Sequence, residues 1–272
     1  MIINIYILSR EIMLMKSFYY VAGIVIIAFL ISLNTKRLFS LDEISVFLTV
    51  IGLIYGLIAA FTINNAWERF SKIRDAIAEE TSSLLNVFYF AKNTTDKKTA
   101  TLLRDKLISY STDVPKIEWK DYWKSEATHA KFREIEKLIA EMKIKTNKDI
   151  ALYDHIANEM IEATSSRNEQ LVLSQTRITN LQWLLNIFLS LVLVIGIAFL
   201  NWGNYLLSIF ITTAMIIAIL LILFVLHEID AMKVGEQEVS IAPYYQLVRI
   251  IANDDPKNII PVKLTPIITE QF

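Results

Sequence analysis

Apolar residues form long uncharged runs on either side of one highly charged region. The uncharged runs cover residues 17–35, 44–67 and 178–226. A helix needs about 20 mostly apolar residues to cross the hydrocarbon core of a bilayer. The last run is long enough for two crossings, and the turn residues Asn201–Asn204 divide it. The pattern therefore predicts four transmembrane helices, near residues 17–35, 44–65, 180–200 and 205–226.

The charged region, residues 66–176, repeats apolar residues at the spacing of amphipathic helices. Examples are Ile73, Ile77 and Leu84. Turn and cap residues interrupt the pattern at 93–96, where Thr95 or Asp96 can cap the next helix, and also at 114–115 and 146–147. No such signal separates the second span from the helix after it, or the 148–176 helix from the third span. We therefore expect a helical bundle joined to the membrane by two continuous helices.

These elements define the fold class as an all-α membrane protein with four transmembrane helices plus a cytoplasmic helical bundle. The predicted domains are the first two spans (1–65), the inserted cytoplasmic domain (66–178), the last two spans (179–226) and a cytoplasmic C-terminal segment (227–272). After about residue 252, three prolines predict an extended tail.

Positive charges beside the spans predict the orientation. Arg69, Lys72, Arg74 and Arg177 flank the second and third spans, so the positive-inside rule places the bundle and both termini in the cytoplasm. Lys36 and Arg37 fall on the opposite side but are fewer. We expect an integral protein of the inner or plasma membrane, whose first partner is the lipid bilayer.

Composition narrows the classes of function. Hydrophobic residues make up 54% of the chain and charged residues 20%, which favours a protein partly embedded in lipid. The net charge is −1, so we expect no nucleic-acid partner, because phosphate binding needs clustered positive charge. The chain has no Cys, which excludes disulfides, thiol nucleophiles and thiolate metal sites.

Residues that could support catalysis or bind metals are scattered. The only histidines, His129, His155 and His227, are far apart and are best interpreted as ordinary surface or packing residues. Glu79 with Glu80, and Glu118 with Asp121, can be interpreted as cation ligands or, more simply, as parts of solvated faces. The sequence contains no Gly-rich phosphate-binding loop. We therefore predict no catalytic residue, no metal site, no cofactor and no enzymatic activity.

The second span carries two adjacent stripes. Gly52 and Gly56 form a G-x-x-x-G pair that allows close approach of another helix. Leu53, Leu57 and Phe61 form an apolar stripe at every fourth position. This stripe can face lipid or a neighbouring helix, or it can line a narrow apolar pore that gates by losing its water.

The segment after this stripe resembles the corresponding segment of bestrophins. It reads Phe-Thr-Ile-Asn-Asn-Ala-Trp-Glu-Arg-Phe-Ser-Lys-Ile-Arg over residues 61–74. In bestrophins an apolar helix ending in Phe leads into an Asn-containing stretch, a Trp-Glu cluster and an Arg. The wider similarity is to the bestrophin-like family, and it extends through Glu79-Glu80-Thr81, Glu118-Trp119, Arg167 and Trp183 over most of residues 45–250.

The resemblance implies a homo-oligomeric ion channel, a pentamer like the bestrophins, that is permeable to anions such as chloride. It implies that Leu53, Leu57 and Phe61 form the pore neck. On that basis we place Asn64 and Asn65 at the pore mouth and interpret Trp67, Glu68 and Arg69 as a structural cluster at the membrane exit, with Arg69 paired to a carboxylate such as Glu79 or Glu80.

Two departures from bestrophins limit the comparison. The chain lacks the doubled Trp, and it lacks an acidic cluster like the bestrophin Ca²⁺ clasp, so Ca²⁺ gating is not predicted. The alternative function is a membrane-anchored scaffold or sensor, in which the helical cytoplasmic domain binds a protein partner.

Overall fold

The computed structural model describes residues 41–117, 119–199, 205–231, 233–234, 237–238 and 241–253. Seven helices occupy most of these residues: α1 (Leu41–Lys92), α2 (Lys97–Asp113), α3 (Glu126–Ala140), α4 (Asn147–Gln175), α5 (Asn180–Phe199), α6 (Tyr205–Asp230) and α7 (Ala242–Asn253). Two 3₁₀ helices, Val114–Lys116 and Trp119–Lys124, lie between α2 and α3. The antiparallel strands β1 (Lys233–Val234) and β2 (Gln237–Glu238) pair Lys233 with Glu238. The predicted all-α class is confirmed. The predicted first span and the extended tail lie outside the described residues.

Contacts divide the chain into two units. The membrane unit comprises Met1–Trp67 and Ile178–Asp230, and the bundle unit comprises Glu68–Arg177 and Ala231–Phe272. Helix α1 runs without a break from Leu41 to Lys92 and contributes residues to both units. The predicted continuity of the second span with the helix after it is therefore confirmed.

Three described helices are long and apolar enough to cross a membrane. They are α1 from Ile44, α5 from Asn180 and α6 from Ile209. Apolar side chains from all three form the core of the membrane unit: Leu48, Tyr55, Ala59, Leu189, Leu193, Ile197 and Ile219. Gly196 on α5 allows this packing, because a Cβ at that position would collide with the side chain of Leu48. Close helix contact at a small residue is typical of membrane bundles.

The bundle unit buries the apolar faces of its amphipathic helices. The fully buried large side chains include Ile73, Ile77 and Leu84 on α1, and Leu103, Leu107 and Tyr110 on α2. Helix α7 packs on α2 and buries Tyr244, Leu247 and Ile251. Removal of such apolar area from water is the main favourable contribution to folding of this unit.

The prediction of one continuous helix from 148 into the third span is wrong. Helix α4 ends at Gln175, and Thr176 adopts an extended conformation. A new cap then begins α5: the backbone N–H of Thr179 donates to Oε1 of Gln182 (2.9 Å), and the N–H of Gln182 donates to Oγ1 of Thr179 (3.2 Å). This Thr-x-x-Gln pair is a capping box, which satisfies N–H groups that a continuous helix would satisfy with carbonyls.

Two aspartates join the loop before α2 to the loop before α4. Asp149 accepts hydrogen bonds from the N–H and the hydroxyl of Thr95 (2.9 and 2.6 Å) and from the N–H groups of Lys145 and Thr146 (3.1 and 3.0 Å). Asp96 accepts from the N–H of Thr99 and so caps α2, as one of the two predicted caps, and it also accepts from the N–H of Lys143 (3.0 Å) in the loop before α4. The breaks predicted at 93–96 and 146–147 are therefore fixed by the side chains of Asp96 and Asp149.

We expect Asp149→Asn to lower the melting temperature of the full-length protein at neutral pH. The hydrogen bonds from Thr95, which are the main cause, hold the pKa of Asp149 well below its usual 3.8. The stabilisation is therefore present above about pH 3.8 and declines as the pH falls below that value. Thermal melting followed by circular dichroism checks this, and the exposed Asp154→Asn on α4 is the control. Equal melting of the two variants at neutral pH would contradict the expectation.

Candidate functional site

The apolar stripe of α1 is exposed in the single chain. Leu53, Leu57 and Phe61 expose 65%, 52% and 66% of their surface. Tyr55 and Ala59, on the other side of the same helix turns, are buried in the membrane unit. The packed side of α1 thus positions the stripe away from this core. Exposure fits a face that meets lipid, another subunit or a pore, so the neck assignment stays a prediction.

The two glycines of the G-x-x-x-G pair have different surroundings. A Cβ at Gly52 would lie 3.8 Å from Cδ2 of Leu193 on α5, so Gly52 faces the core of the membrane unit. A Cβ at Gly56 would meet no atom within 4 Å in the part of the chain that the structure describes. Close helix approach at Gly56 therefore requires a helix other than α5 and α6 of the same chain.

The predicted mouth and the Trp-Glu-Arg cluster lie just beyond the stripe on α1. Asn64, Asn65 and Trp67 are exposed, and Glu68 forms a salt bridge with Lys72 at 2.8 Å. Arg69 is instead buried and donates a hydrogen bond to the backbone carbonyl of Thr176. The side chains of this cluster therefore point in different directions, and Arg69 fixes the end of α4 against α1.

A buried carboxylate lies further along α1, in the bundle unit. Glu80 is fully buried, whereas the neighbouring Glu79 is exposed. Oε1 of Glu80 accepts a hydrogen bond from the hydroxyl of Tyr110 (2.5 Å). Oε2 of Glu80 accepts from Nε2 of Gln170 (2.5 Å) and from the hydroxyl of Tyr244 (2.8 Å). The interpretation of Glu80 as part of a solvated face is wrong, and these partners make it unavailable to Arg69.

The guanidinium of Arg167 contributes positive charge beside this carboxylate. Its Nε donates to the hydroxyl of Tyr110 (3.2 Å), and its Cζ lies 4.4 Å from the ring centroid of Phe132. An N–H of Arg167 also meets Nδ1 of His129 at 3.0 Å, and because a guanidinium only donates, Nδ1 accepts. Arg167 thus binds the outer side of the cluster and contacts α2 and α3.

Burial dominates the electrostatics of this cluster. It raises the pKa of Glu80, and the hydrogen bonds from Tyr110, Tyr244 and Gln170 together with the charge of Arg167 oppose that shift only in part. Burial, followed by the charge of Glu80, also raises the pKa values of Tyr110, of Tyr244 and of Tyr122, whose hydroxyl lies 3.4 Å from that of Tyr110. The tyrosines therefore remain protonated donors at any ordinary pH.

The Bestrophin-like domain family matches residues 19–243. The chain belongs to the bestrophin-like family. The matched residues include the exposed stripe of α1 as well as Glu80 and Arg167. No curated protein sequence matches the chain.

Solved structures share the bestrophin fold with this chain. A bacterial bestrophin homologue from Klebsiella pneumoniae, solved as a point variant, has a TM-score of 0.68 and 10% identity, covering 86% of this chain and 98% of that chain. A second variant of that homologue has a TM-score of 0.63 and 13% identity, covering 88% and 97%. A crystal structure described as a membrane protein has a TM-score of 0.69 and 10% identity, covering 88% and 98%. At such low identity the likeness establishes the fold alone.

In the described part of the bestrophin-like chain, the carboxylates are not grouped as the ligand set of a Ca²⁺ clasp requires. Within the described ranges, no group of three or more His, Asp or Glu side chains is arranged to hold a metal ion. Ca²⁺ prefers six to eight oxygen ligands, several of them carboxylates. Glu80 has already engaged both of its oxygens with neutral donors.

Sequence reasoning missed the buried cluster although a signal was present. Glu80 continues the apolar register of Ile73, Ile77 and Leu84, at steps of four, three and four residues. Arg167 likewise continues the register of Ile156, Met160 and Ala163 on α4, which are buried. A charged residue in an apolar register is expected to be buried with partners. This register, rather than the Glu79-Glu80 pair itself, distinguishes Glu80 from Glu79.

Proposed function

We propose that this member of the bestrophin-like family is a homo-oligomeric ion channel, a pentamer, with an apolar neck on α1. The exposed stripe of Leu53, Leu57 and Phe61 on α1, which carries the predicted second span, supports this proposal most directly. A lone subunit has no axis to enclose water, so conduction requires several copies around these stripes.

The chemistry of the stripe suits a gate. Leu and Phe side chains offer no hydrogen bonds to water or to a hydrated ion, so a narrow ring of them empties readily and resists ion passage. The neck carries no charge and therefore selects among ions only through the cost of dehydration. Anion permeability rests on the resemblance to bestrophins, and the polar Asn64 and Asn65 are proposed to line the mouth.

The orientation is part of the same proposal. Arg69, Lys72, Arg74 and Arg177 support a cytoplasmic bundle unit and cytoplasmic termini. The chain is an integral membrane protein. The proposed permeating species are small ions, with no catalytic step and no nucleic-acid partner.

Ion flux in liposomes tests this function. Purified protein is reconstituted into vesicles loaded with a chloride-sensitive dye, and its mass in detergent is measured in parallel. We expect flux above that of protein-free vesicles and a mass of several subunits. A monomeric mass in detergent together with no flux of either anions or cations would refute the channel.

We expect Gly56→Leu to disrupt assembly without unfolding the subunit. A Cβ at Gly56 has open space around it among the described residues, so the packing of α1 on α5 and α6 tolerates a leucine there, whereas close approach of another subunit does not. Mass measurement in detergent should show smaller species, while helical content stays unchanged. Gly52→Ala is the matched control, because a methyl group there makes an ordinary contact with Leu193. An unchanged oligomer in Gly56→Leu would place Gly56 outside the subunit interface.

The alternative is a membrane-anchored scaffold, and one feature favours it. Helices α3 and α4 border an open groove of about 590 Å³, lined by apolar Ile139, Met160 and Ile161 and by the polar Glu136 and Asn168. Grooves of this kind can accept an amphipathic helix. Oligomers that conduct no ions, but retain a bound protein partner, would favour the scaffold over the channel.

A further inference from the structure

The hydrogen bonds of Glu80 connect α1 to three other helices of the bundle unit. Tyr110 belongs to α2, Gln170 to α4 and Tyr244 to α7, and each donates to the same carboxylate. Gln170 also donates to the carbonyl of Ala76, one turn earlier on α1. The side chain of Glu80 is therefore one point at which α1 is hydrogen-bonded to three surrounding helices.

The carboxylate lacks a direct ion pair among the described residues. Arg167 reaches it only through the hydroxyl of Tyr110, which donates to Glu80 at 2.5 Å and accepts from Arg167 at 3.2 Å. A buried carboxylate of this kind is costly when ionised, because neutral donors replace only part of its hydration. Protonation removes that cost, and the neutral carboxyl can still donate one hydrogen bond, to the amide oxygen of Gln170 or to a tyrosine hydroxyl.

We propose that Glu80 is a regulatory protonation site, at which proton binding strengthens the hold of the bundle unit on α1. Its effect on conduction rests on the proposed channel function, because the stripe of Leu53, Leu57 and Phe61 lies on the same helix. The binding of the proton itself does not depend on that function.

The direction follows from linkage. Burial raises the pKa of Glu80 above its ordinary 4.5, so the folded protein binds this proton more tightly than the unfolded chain does. The contribution of Glu80 to stability is therefore most favourable at and below about pH 4.5, and it is lost as the pH rises through the raised pKa. Acidification holds α1 in the bundle unit, and deprotonation favours arrangements in which the carboxylate reaches water.

The other groups around Glu80 do not explain such a response. Tyr110, Tyr244 and Tyr122 stay protonated, because burial raises their pKa values. Arg167 stays charged. The imidazole of His129 on α3 contacts Arg167 and is another ionisable side chain beside the cluster. A measurement specific to carboxyl groups separates Glu80 from His129.

Infrared spectroscopy of the full-length protein in detergent provides that measurement. The C=O stretch of a protonated carboxyl is recorded between about pH 8 and pH 5, where exposed carboxyls are mostly ionised. We expect a band that grows on acidification, disappears in Glu80→Gln and persists in Glu79→Gln. Glu79 is the matched control because it is the adjacent, exposed glutamate of α1.

A second variant keeps the test decisive if Glu80→Gln fails to fold. Tyr244→Phe removes one donor to the ionised carboxylate but keeps the ring. The titration of the band should then move upward by about one to two pH units, since a hydrogen bond to a charged group has a corresponding strength. The protonation site would be ruled out if the wild type shows no carboxyl band at pH values above the titration range of exposed carboxyls. It would also be ruled out if the band of Tyr244→Phe titrates at the same pH as that of the wild type.

The proposed effect of Glu80 protonation on conduction is tested by ion flux in liposomes at the same pH values. We expect the pH dependence of wild-type flux to be lost in Glu80→Gln and kept in Glu79→Gln. An unchanged pH profile in Glu80→Gln would overturn the regulatory role. Absence of flux in every variant would refute the channel, and the infrared result would still decide whether Glu80 binds a proton.

Discussion

Replacing Leu53, Leu57 and Phe61 together by Ala is expected to raise ion flux through the reconstituted protein. All three side chains are exposed on one face of α1. If they line the neck, shortening them widens the constriction and lowers the free-energy barrier to ion passage through the dewetted apolar ring. We expect flux to rise about tenfold or more, which corresponds to a barrier lower by about 1.4 kcal/mol. Phe61→Ala should have the largest single effect, because it removes the bulkiest side chain.

The control for this prediction is another exposed leucine of the membrane unit. Leu191 on α5 exposes 56% of its surface, similar to Leu57, and Leu191→Ala should leave flux unchanged. If the stripe instead packs in an ordinary interface, its truncation leaves cavities that cost roughly 2–5 kcal/mol each. Loss of the oligomer without any gain in flux would therefore show that the stripe is a packing surface rather than a neck.

Arg167→Ala is expected to destabilise the bundle unit by roughly 3 kcal/mol, the scale for removing one member of a buried charged network. The change deletes the donor to Tyr110, the contact with His129 and the cation above the ring of Phe132. It also removes the positive charge of Arg167, which favours the ionised form of the buried Glu80. Chemical denaturation of the full-length protein in detergent measures the loss.

Arg74→Ala is the matched control for this change. Arg74 is an exposed arginine of α1, and surface substitutions of this kind usually change stability by less than about 0.5 kcal/mol. Adding Glu80→Gln to Arg167→Ala should recover part of the lost stability, because the double variant no longer buries an uncompensated carboxylate. If the change in the free energy of unfolding of the double variant equals the sum of the changes of the two single variants, the two side chains are not coupled.

The parts of the fold that were predictable from sequence are those determined by local signals. Turn and cap residues marked the breaks near Asp96, Pro115 and Thr146, and the structure confirms each of them. The same kind of signal was overlooked at Thr179 and Gln182, where the capping box begins α5. That error came from giving the apolar run more weight than the polar residues before it.

The buried cluster was harder to predict because its parts are distant in the chain. Glu80 meets Tyr110, Gln170 and Tyr244, which lie 30, 90 and 164 residues away. Its register on α1 indicates burial, but no pattern within one helix identifies the donors that make burial tolerable. The proposed neck residues differ from this cluster. Their spacing in the sequence is clear, but the atoms that would surround them belong to other copies of the chain.

The unbroken course of α1 has a consequence for the width of any pore built on it. Immediately before Leu53, Leu57 and Phe61 come Gly52, Gly56 and Ala60, which form a parallel row of small residues. Adjacent residues of a helix are separated by about 100° around its axis. A rotation of α1 by that angle would exchange bulky side chains for hydrogen atoms and a methyl group, without any change of rotamer. In such a pore the orientation of the helix about its own axis, rather than bending or unwinding, would control the diameter.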